Sequence, residues 1–231
     1  MMNRKPALLV TLLTLLAMIL PSCSDSNDGP ATEEITSYDI VCLSEFDSKK
    51  GSTFTMTKPS GNRLITYSSS QLIDTTIVHL GDRLILAYRT ANQEPYKSGH
   101  ITAVGYSPIN NDRLRRPGSS TTVAESEPVY LMSGWMSQDF LNLRLKLPYT
   151  QVKRQLYVAV QENTISDEYP VCNLVHHLDE PVNTFDRETY LSVDMSALRT
   201  LPHCKGFILK VNNSNLKIDS FTFNLLDYNN L

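Results

Sequence analysis

Past residue 34 the hydrophobic positions recur with a period of two. Thr53-Phe54-Thr55-Met56-Thr57 alternates polar with apolar, which turns one face of a strand inward. Leu141, Leu143, Leu145 and Leu147 alternate with Asn142, Arg144 and Lys146 in the same way. The pattern returns at Leu156, Val158 and Val160, at Leu191, Val193 and Met195, and at Phe207, Leu209 and Val211. Ile40-Val41-Cys42-Leu43 and Leu84-Ile85-Leu86-Ala87-Tyr88 are apolar on both faces, as central strands are. Turn formers separate these runs at Lys50-Gly51, Pro59-Ser60-Gly61-Asn62 and Gly81-Asp82. With Ile101–Ile109 as a further strand, about five strands fit between residues 35 and 109, the size of a small closed barrel.

Residues 110–128 change character. Asn110-Asn111-Asp112, Arg115-Arg116-Pro117-Gly118 and Glu125-Ser126-Glu127-Pro128 are polar and turn-prone, so this stretch is expected to be a linker or long loop. From residue 129 the strands follow at short spacing and predict a sandwich. Leu216-Lys217-Ile218 and Phe221–Leu225 are expected to close it, with a bulge near Ser220. Ser196–Leu201 fits one short turn, and no long amphipathic helix is expected after Cys23. The expected fold is all-β, an OB-like five-stranded barrel at 35–109 followed by a β-sandwich at 129–231.

The first residues obey a different rule. Arg4 and Lys5 precede a run from Ala7 to Leu20 broken only by Thr11 and Thr14. That run is short of the about 20 residues a spanning helix needs. A basic start, a short apolar middle and small residues at the end mark a secretory signal over 1–22. It finishes in Leu20-Pro21-Ser22-Cys23, which resembles the bacterial lipobox, with Cys23 as the lipidated residue. Residues 23–34 are small, polar and acidic, the composition of a flexible tether. Asp25 and Asp28, just behind Cys23, also resemble a surface-export signal of lipoproteins. The expectation is an exported chain, lipid-anchored to the outer membrane and displayed from it.

Charge sharpens that picture. The 231-residue chain carries 21 Lys and Arg against 24 Asp and Glu, a net −3. Cleavage before Cys23 removes Arg4 and Lys5 and no acid, leaving 19 against 24, or −5. An acidic body is not held to an anionic bilayer by charge, so the acyl chains carry the attachment. No long basic segment exists, which argues against a nucleic-acid partner. Of four Cys, lipidation of Cys23 leaves Cys42, Cys172 and Cys204. An odd remainder permits one intrachain bond, with Cys172 and Cys204 the candidate pair, or three buried thiols.

Several elements together resemble the NigD-like lipoproteins: the lipobox, the acidic tether, a barrel ending near residue 109 and a sandwich opening around Trp135. Gly81–Tyr88 carries the resemblance in the first domain, and Phe140–Leu143 and Gly206–Val211 carry it in the second. The family combines an N-terminal OB-like domain with a C-terminal β-sandwich and takes its name from a gene in a bacteriocin locus. The resemblance implies an address and a fold, and brings no catalytic residues with it.

Catalytic signatures are absent from the sequence. Gly-x-Ser-x-Gly, the phosphate-cradling Gly-Lys loop, His-Glu-x-x-His and Cys-x-x-Cys do not occur. His176-His177 is the one His pair, with Asp179 or Glu180 nearby, but neighbours on a strand face opposite ways and are expected to be solvated loop histidines. Asp167-Glu168 and Asp179-Glu180 are acidic pairs of the kind that flank a sugar, and loop solvation is the simpler account. Arg113, Arg115 and Arg116 read as a solvated linker cluster. Trp135 with Tyr130 would make a stacking platform, yet a lone Trp on a sandwich strand is expected in the core.

The sequence therefore points to a non-enzymatic binding module without metal or cofactor, its ligand-binding residues unassigned. Its partner would be an envelope protein, a peptide or a glycan. A hydrolase or metal enzyme with a site in the interdomain cleft is the rival, and a structural subunit of an outer-membrane assembly is the third reading.

Overall fold

The computed structural model describes residues 35–58, 63–91, 93–116, 126–151, 154–179 and 185–225. Cys23, the signal and tether segments, and Glu180 lie outside the described residues. Five strands are β1 (Ser37–Asp47), β2 (Gly51–Thr57), β3 (Leu64–Ser69), β4 (Arg83–Thr90) and β5 (Gly99–Pro108). They close into a barrel in the order β1-β2-β3-β5-β4. β3 and β5 pair in parallel and the other neighbours are antiparallel. β1 is long enough to pair with both β2 and β4, and a bulge between Leu43 and Glu45 bends it around the wall. β3 is the strand that the polar-apolar count allowed for without placing. Val41, Leu43, Phe54, Ile65, Leu84 and Leu86 are fully buried in the lumen. Each such side chain contributes about 1.5–3 kcal/mol by leaving water.

The remaining strands are β6 (Asn110–Arg113), β7 (Tyr130–Ser137), β8 (Phe140–Pro148), β9 (Arg154–Val160), β10 (Val171–Leu178), β11 (Asp186–Asp194), β12 (Gly206–Lys210) and β13 (Ser220–Asn224). They form two four-stranded sheets, β6-β11-β8-β7 and β13-β12-β10-β9. The four alternating leucines of β8 are fully buried between the sheets, in one cluster with Val158, Leu174, Val193, Phe207 and Leu209. Ser196–Thr200 is one 3-10 turn, as its spacing predicted, and the described residues hold no α-helix.

Three expectations change. The stretch expected to be a linker at 110–128 begins with β6, which pairs in parallel with β11 from Leu191↔Asn110 to Asp194↔Arg113. Its Asn-Asn-Asp-Arg sequence has no apolar alternation, because side-chain hydrogen bonds hold it in place of burial. Leu216-Lys217-Ile218 is not a strand. The Asn213 side chain accepts from Leu216 N and donates to Ile218 O, closing a turn that occupies those backbone groups. The histidine pair lies on strand β10 instead of a loop.

Residues Ile35–Leu231 group as one unit. The reason is visible on the outer face of the β6-β11-β8-β7 sheet. Asn142 and Ser192 point away from the leucine core, yet they are 0% and 1% exposed. The barrel covers them. Arg83 of β4 reaches across so that Nη2 donates to Asn142 Oδ1 at 3.4 Å, and Ser192 Oγ donates to the same oxygen at 2.9 Å. Asn111 of β6 clamps the backbone of Arg83, accepting from its N–H at 2.9 Å and donating to its carbonyl at 3.0 Å. Along β8 the cover ends at Lys146, which is exposed.

Candidate functional site

Where the barrel leans on the sheet it leaves a cleft of about 630 Å³. β1 and β4 supply Asp39 and Arg83, the residue after β2 is Lys58, and β7, β8 and β11 supply Trp135, Arg144 and Tyr190. The volume suits a small ligand or a few residues of a peptide. The cleft is the concave site that a rival enzyme would need. Its described lining holds one carboxylate, Asp39, and no histidine.

Asp39 is committed to a hydrogen-bond chain. Tyr88 Oη donates to it at 2.7 Å, and Tyr67 and Tyr88 hydroxyls meet at 3.1 Å inside the barrel. Tyr96 Oη reaches the other carboxylate oxygen at 3.5 Å. Burial raises the Asp39 pKa, and the two tyrosine hydrogen bonds partly offset that. Arg144 is forked onto Glu188 through two 2.8 Å bonds, a pairing that lowers the Glu188 pKa.

Arg83 is different. It is 1% exposed, and its Nε has no hydrogen-bond partner. Its Nη2 contacts, Ile40 O at 3.5 Å and Asn142 Oδ1 at 3.4 Å, are long. The guanidinium also lies 4.5 Å over the Phe140 ring. Burial pushes its pKa down to about 10, the direction expected when a charge is desolvated without a carboxylate beside it. The sequence carried no signal for this site. Arg83 followed the turn residues Gly81-Asp82 at the head of an apolar run, and the cleft is built from strands far apart along the chain.

Residues 116–225 match the NigD-like C-terminal β-sandwich domain family. That part of the chain is a NigD-like C-terminal β-sandwich domain. No curated protein matches the chain. Solved structures extend the likeness to both halves. A protein of unknown function from Bacteroides vulgatus superposes with a TM-score of 0.63 at 15% identity, over 85% of this chain and 93% of that one. A NigD-like immunity protein from Bacteroides caccae gives 0.57 at 15% identity, over 81% and 92%. At such identity the likeness is one of fold.

Within the NigD-like domain the remaining candidates fall apart spatially and chemically. Trp135, expected in the core, is 37% exposed and lines the cleft. A register shift between Leu131 and Ser133 explains it, because a bulge exchanges inward for outward positions along the rest of the strand. Gly134 consequently faces Leu143 and Phe223, and Trp135 faces the opposite way. Tyr130 is exposed on the same strand, with Lys146 Nζ 5.5 Å from its ring centre.

His176 and His177 face opposite sides of β10, so they do not converge. His176, expected to be solvated, is 1% exposed, and burial lowers its pKa, reinforced by the Arg154 charge. His177 is exposed with Asp179 at 4.0 Å. Among the described residues no three His, Cys, Asp or Glu side chains gather as metal ligands.

The arginines of the cluster are exposed, but the stretch that carries them is part of the sandwich instead of a free linker. Arg113 belongs to β6, and Arg115 pairs with Asp112 at 2.6 Å and lies 4.2 Å over the Tyr157 ring. Glu168 pairs with Lys205 at 2.7 Å. Cys172 is buried in the sandwich core and Cys204 packs against the same cluster, both as free thiols. Burial pushes the Cys172 thiol up to about 12 and raises Cys204 as well, so neither is a ready nucleophile.

Proposed function

We propose that this NigD-like chain is a non-enzymatic interaction module of the cell envelope, of the toxin-linked immunity type, that receives a protein partner at the barrel-sandwich cleft. The observation that carries it is the pairing of an exposed Trp135 with polar groups that are already structurally engaged. Asp39 is held by two tyrosines, and Arg144 is forked onto Glu188. Neither is poised as an acid, base or nucleophile, whereas an exposed Trp on β7, a terminal strand whose outer edge beside it pairs with no strand among the described residues, is a docking feature. The immunity reading draws support from the description of the B. caccae structure. The envelope address draws on the signal-like start and Cys23, through which fatty acids would tether the body to the outer membrane.

The test is a photo-crosslinking residue at position 135 in living cells. A discrete protein adduct is expected there, and none with the same residue at Ile218, which is exposed on the turn between β12 and β13. Adducts of equal yield at both positions, or none at either, would reject the cleft as the docking site.

A further inference from the structure

Arg83 is a cation buried under the cleft with an orphaned Nε and long contacts elsewhere. Among the described residues no carboxylate lies within ion-pair distance of its charge, while the nearby Arg144 is neutralised by Glu188. Lys58, just past β2 on the barrel side of the cleft, is exposed, and no carboxylate among the described residues forms an ion pair with it. A buried charge without a counter-charge is costly, and an anion placed over it relieves that cost. The walls around these cations also carry apolar side chains. Ile40 and Ile85, both partly exposed, line the cleft on its barrel side. Trp135 offers a ring face at the rim. It stands on β7, the terminal strand of its sheet, whose outer edge pairs with no strand among the described residues from Ser133 to Ser137.

We infer that the cleft binds an extended, acidic peptide segment of the partner protein. A carboxylate of that segment lies over Arg83 and Lys58, and a neighbouring aromatic or apolar side chain packs on Trp135. This inference rests on the reading of the chain as a protein-binding module. A peptide fits better than a sugar because the cleft runs beside a sheet edge, which recognises main chain, and because its apolar walls exceed what a hydrated ring needs. Asp39 at the barrel end of the same cleft disfavours a run of consecutive acids and favours carboxylates spaced along a strand.

The chain contains a single tryptophan, so its emission reports the cleft directly. The full chain is titrated with a short capped peptide alternating Glu and Phe, and with the same peptide carrying Gln for Glu. The acidic peptide should shift Trp135 emission saturably at a concentration about tenfold lower than the Gln peptide, a gap that narrows as salt is added. Lys58→Gln, a surface change that leaves the fold intact, should shrink the gap several-fold. Arg83→Met, which keeps volume and removes charge, should abolish it. Equal response to the two peptides, or an undiminished gap in Lys58→Gln, overturns the inference. So does a shift produced by an oligogalacturonate and by neither peptide, although binding at the cleft then survives with a glycan in place of the peptide. Cleavage of the acidic peptide during the titration, read by mass spectrometry, would instead overturn the non-enzymatic reading and leave the peptide site standing.

Discussion

Arg83 of the barrel and Asn142 of the sandwich meet at 3.4 Å, and Asn142 Oδ1 serves both that guanidinium and the Ser192 hydroxyl. This shared oxygen is the polar centre of the contact between the two halves. Truncating it leaves the buried hydroxyl without that acceptor and the buried cation with only its long contact to the Ile40 carbonyl. Asn142→Ala should therefore lower unfolding stability by about 2–4 kcal/mol. Urea denaturation of both proteins checks it, and a cost under about 1 kcal/mol would show that the contact is easily rearranged.

Trp135 should be a cheap residue for the fold. A core Trp truncated to Ala costs about 3–5 kcal/mol. Facing the cleft and 37% exposed, Trp135 should cost about 1 kcal/mol or less on the same change. Its native emission should also be quenched by acrylamide without unfolding. A blue-shifted, quencher-resistant emission would return it to the core.

His176 gives the protein an acid sensitivity. Burial and Arg154 depress its folded-state pKa below the ordinary value of 6.5. Above 6.5 both folded and unfolded forms are neutral and the group has no effect. Below 6.5 the unfolded chain takes up the proton first, so stability falls as pH drops, until the depressed folded pKa is passed. Denaturation midpoints at pH 7 and pH 5 should separate more in the native protein than in His176→Gln. Identical pH dependence in the two would remove His176 from the account.

How much of this was legible beforehand differs by element. The leucines of β8 and the apolar run of β4 announced themselves, because burial on one or both faces leaves a period in the sequence. β6 did not, since Asn111 secures it through two hydrogen bonds to Arg83 and it buries little of its own. β10 was passed over because its apolar positions are interrupted by Asn173 and the His pair. Trp135 was misplaced by one bulge, which reverses the facing of every later residue in β7. The cleft itself had no local signature. Its cations come from the end of β2, from β4 and from β8, and their juxtaposition exists only after both halves have packed.

The β1–β2 turn should tolerate no side chain at Gly51. Its φ of +103° is one L residues rarely adopt, and a Cβ there would sit 2.0 Å from the Ser69 carbonyl oxygen. Gly51→Ala should cost about 2 kcal/mol or more, since strain and overlap both oppose it. A thermal scan that finds the variant within about 1 °C of the native protein would contradict this.

Membrane attachment should depend on one atom, the Cys23 sulfur. Cys23→Ala is expected to release the protein into the soluble fraction or leave the precursor uncut, as membrane fractionation and mass would show. Unchanged attachment with normal processing would sink the lipidation proposal.

The parallel pairing of β6 with β11 also sets an order of events. Asn110 donates to the Tyr190 carbonyl, 80 residues further along. A chain emerging N-terminus first can close its barrel once β5 has appeared. It must then hold β6 unmated while β7 to β10 follow, until β11 arrives to seal it. The matched family segment begins at residue 116, after β6. A sandwich expressed from there would be born with an open flank, so in this protein the first half supplies the last seam of the second.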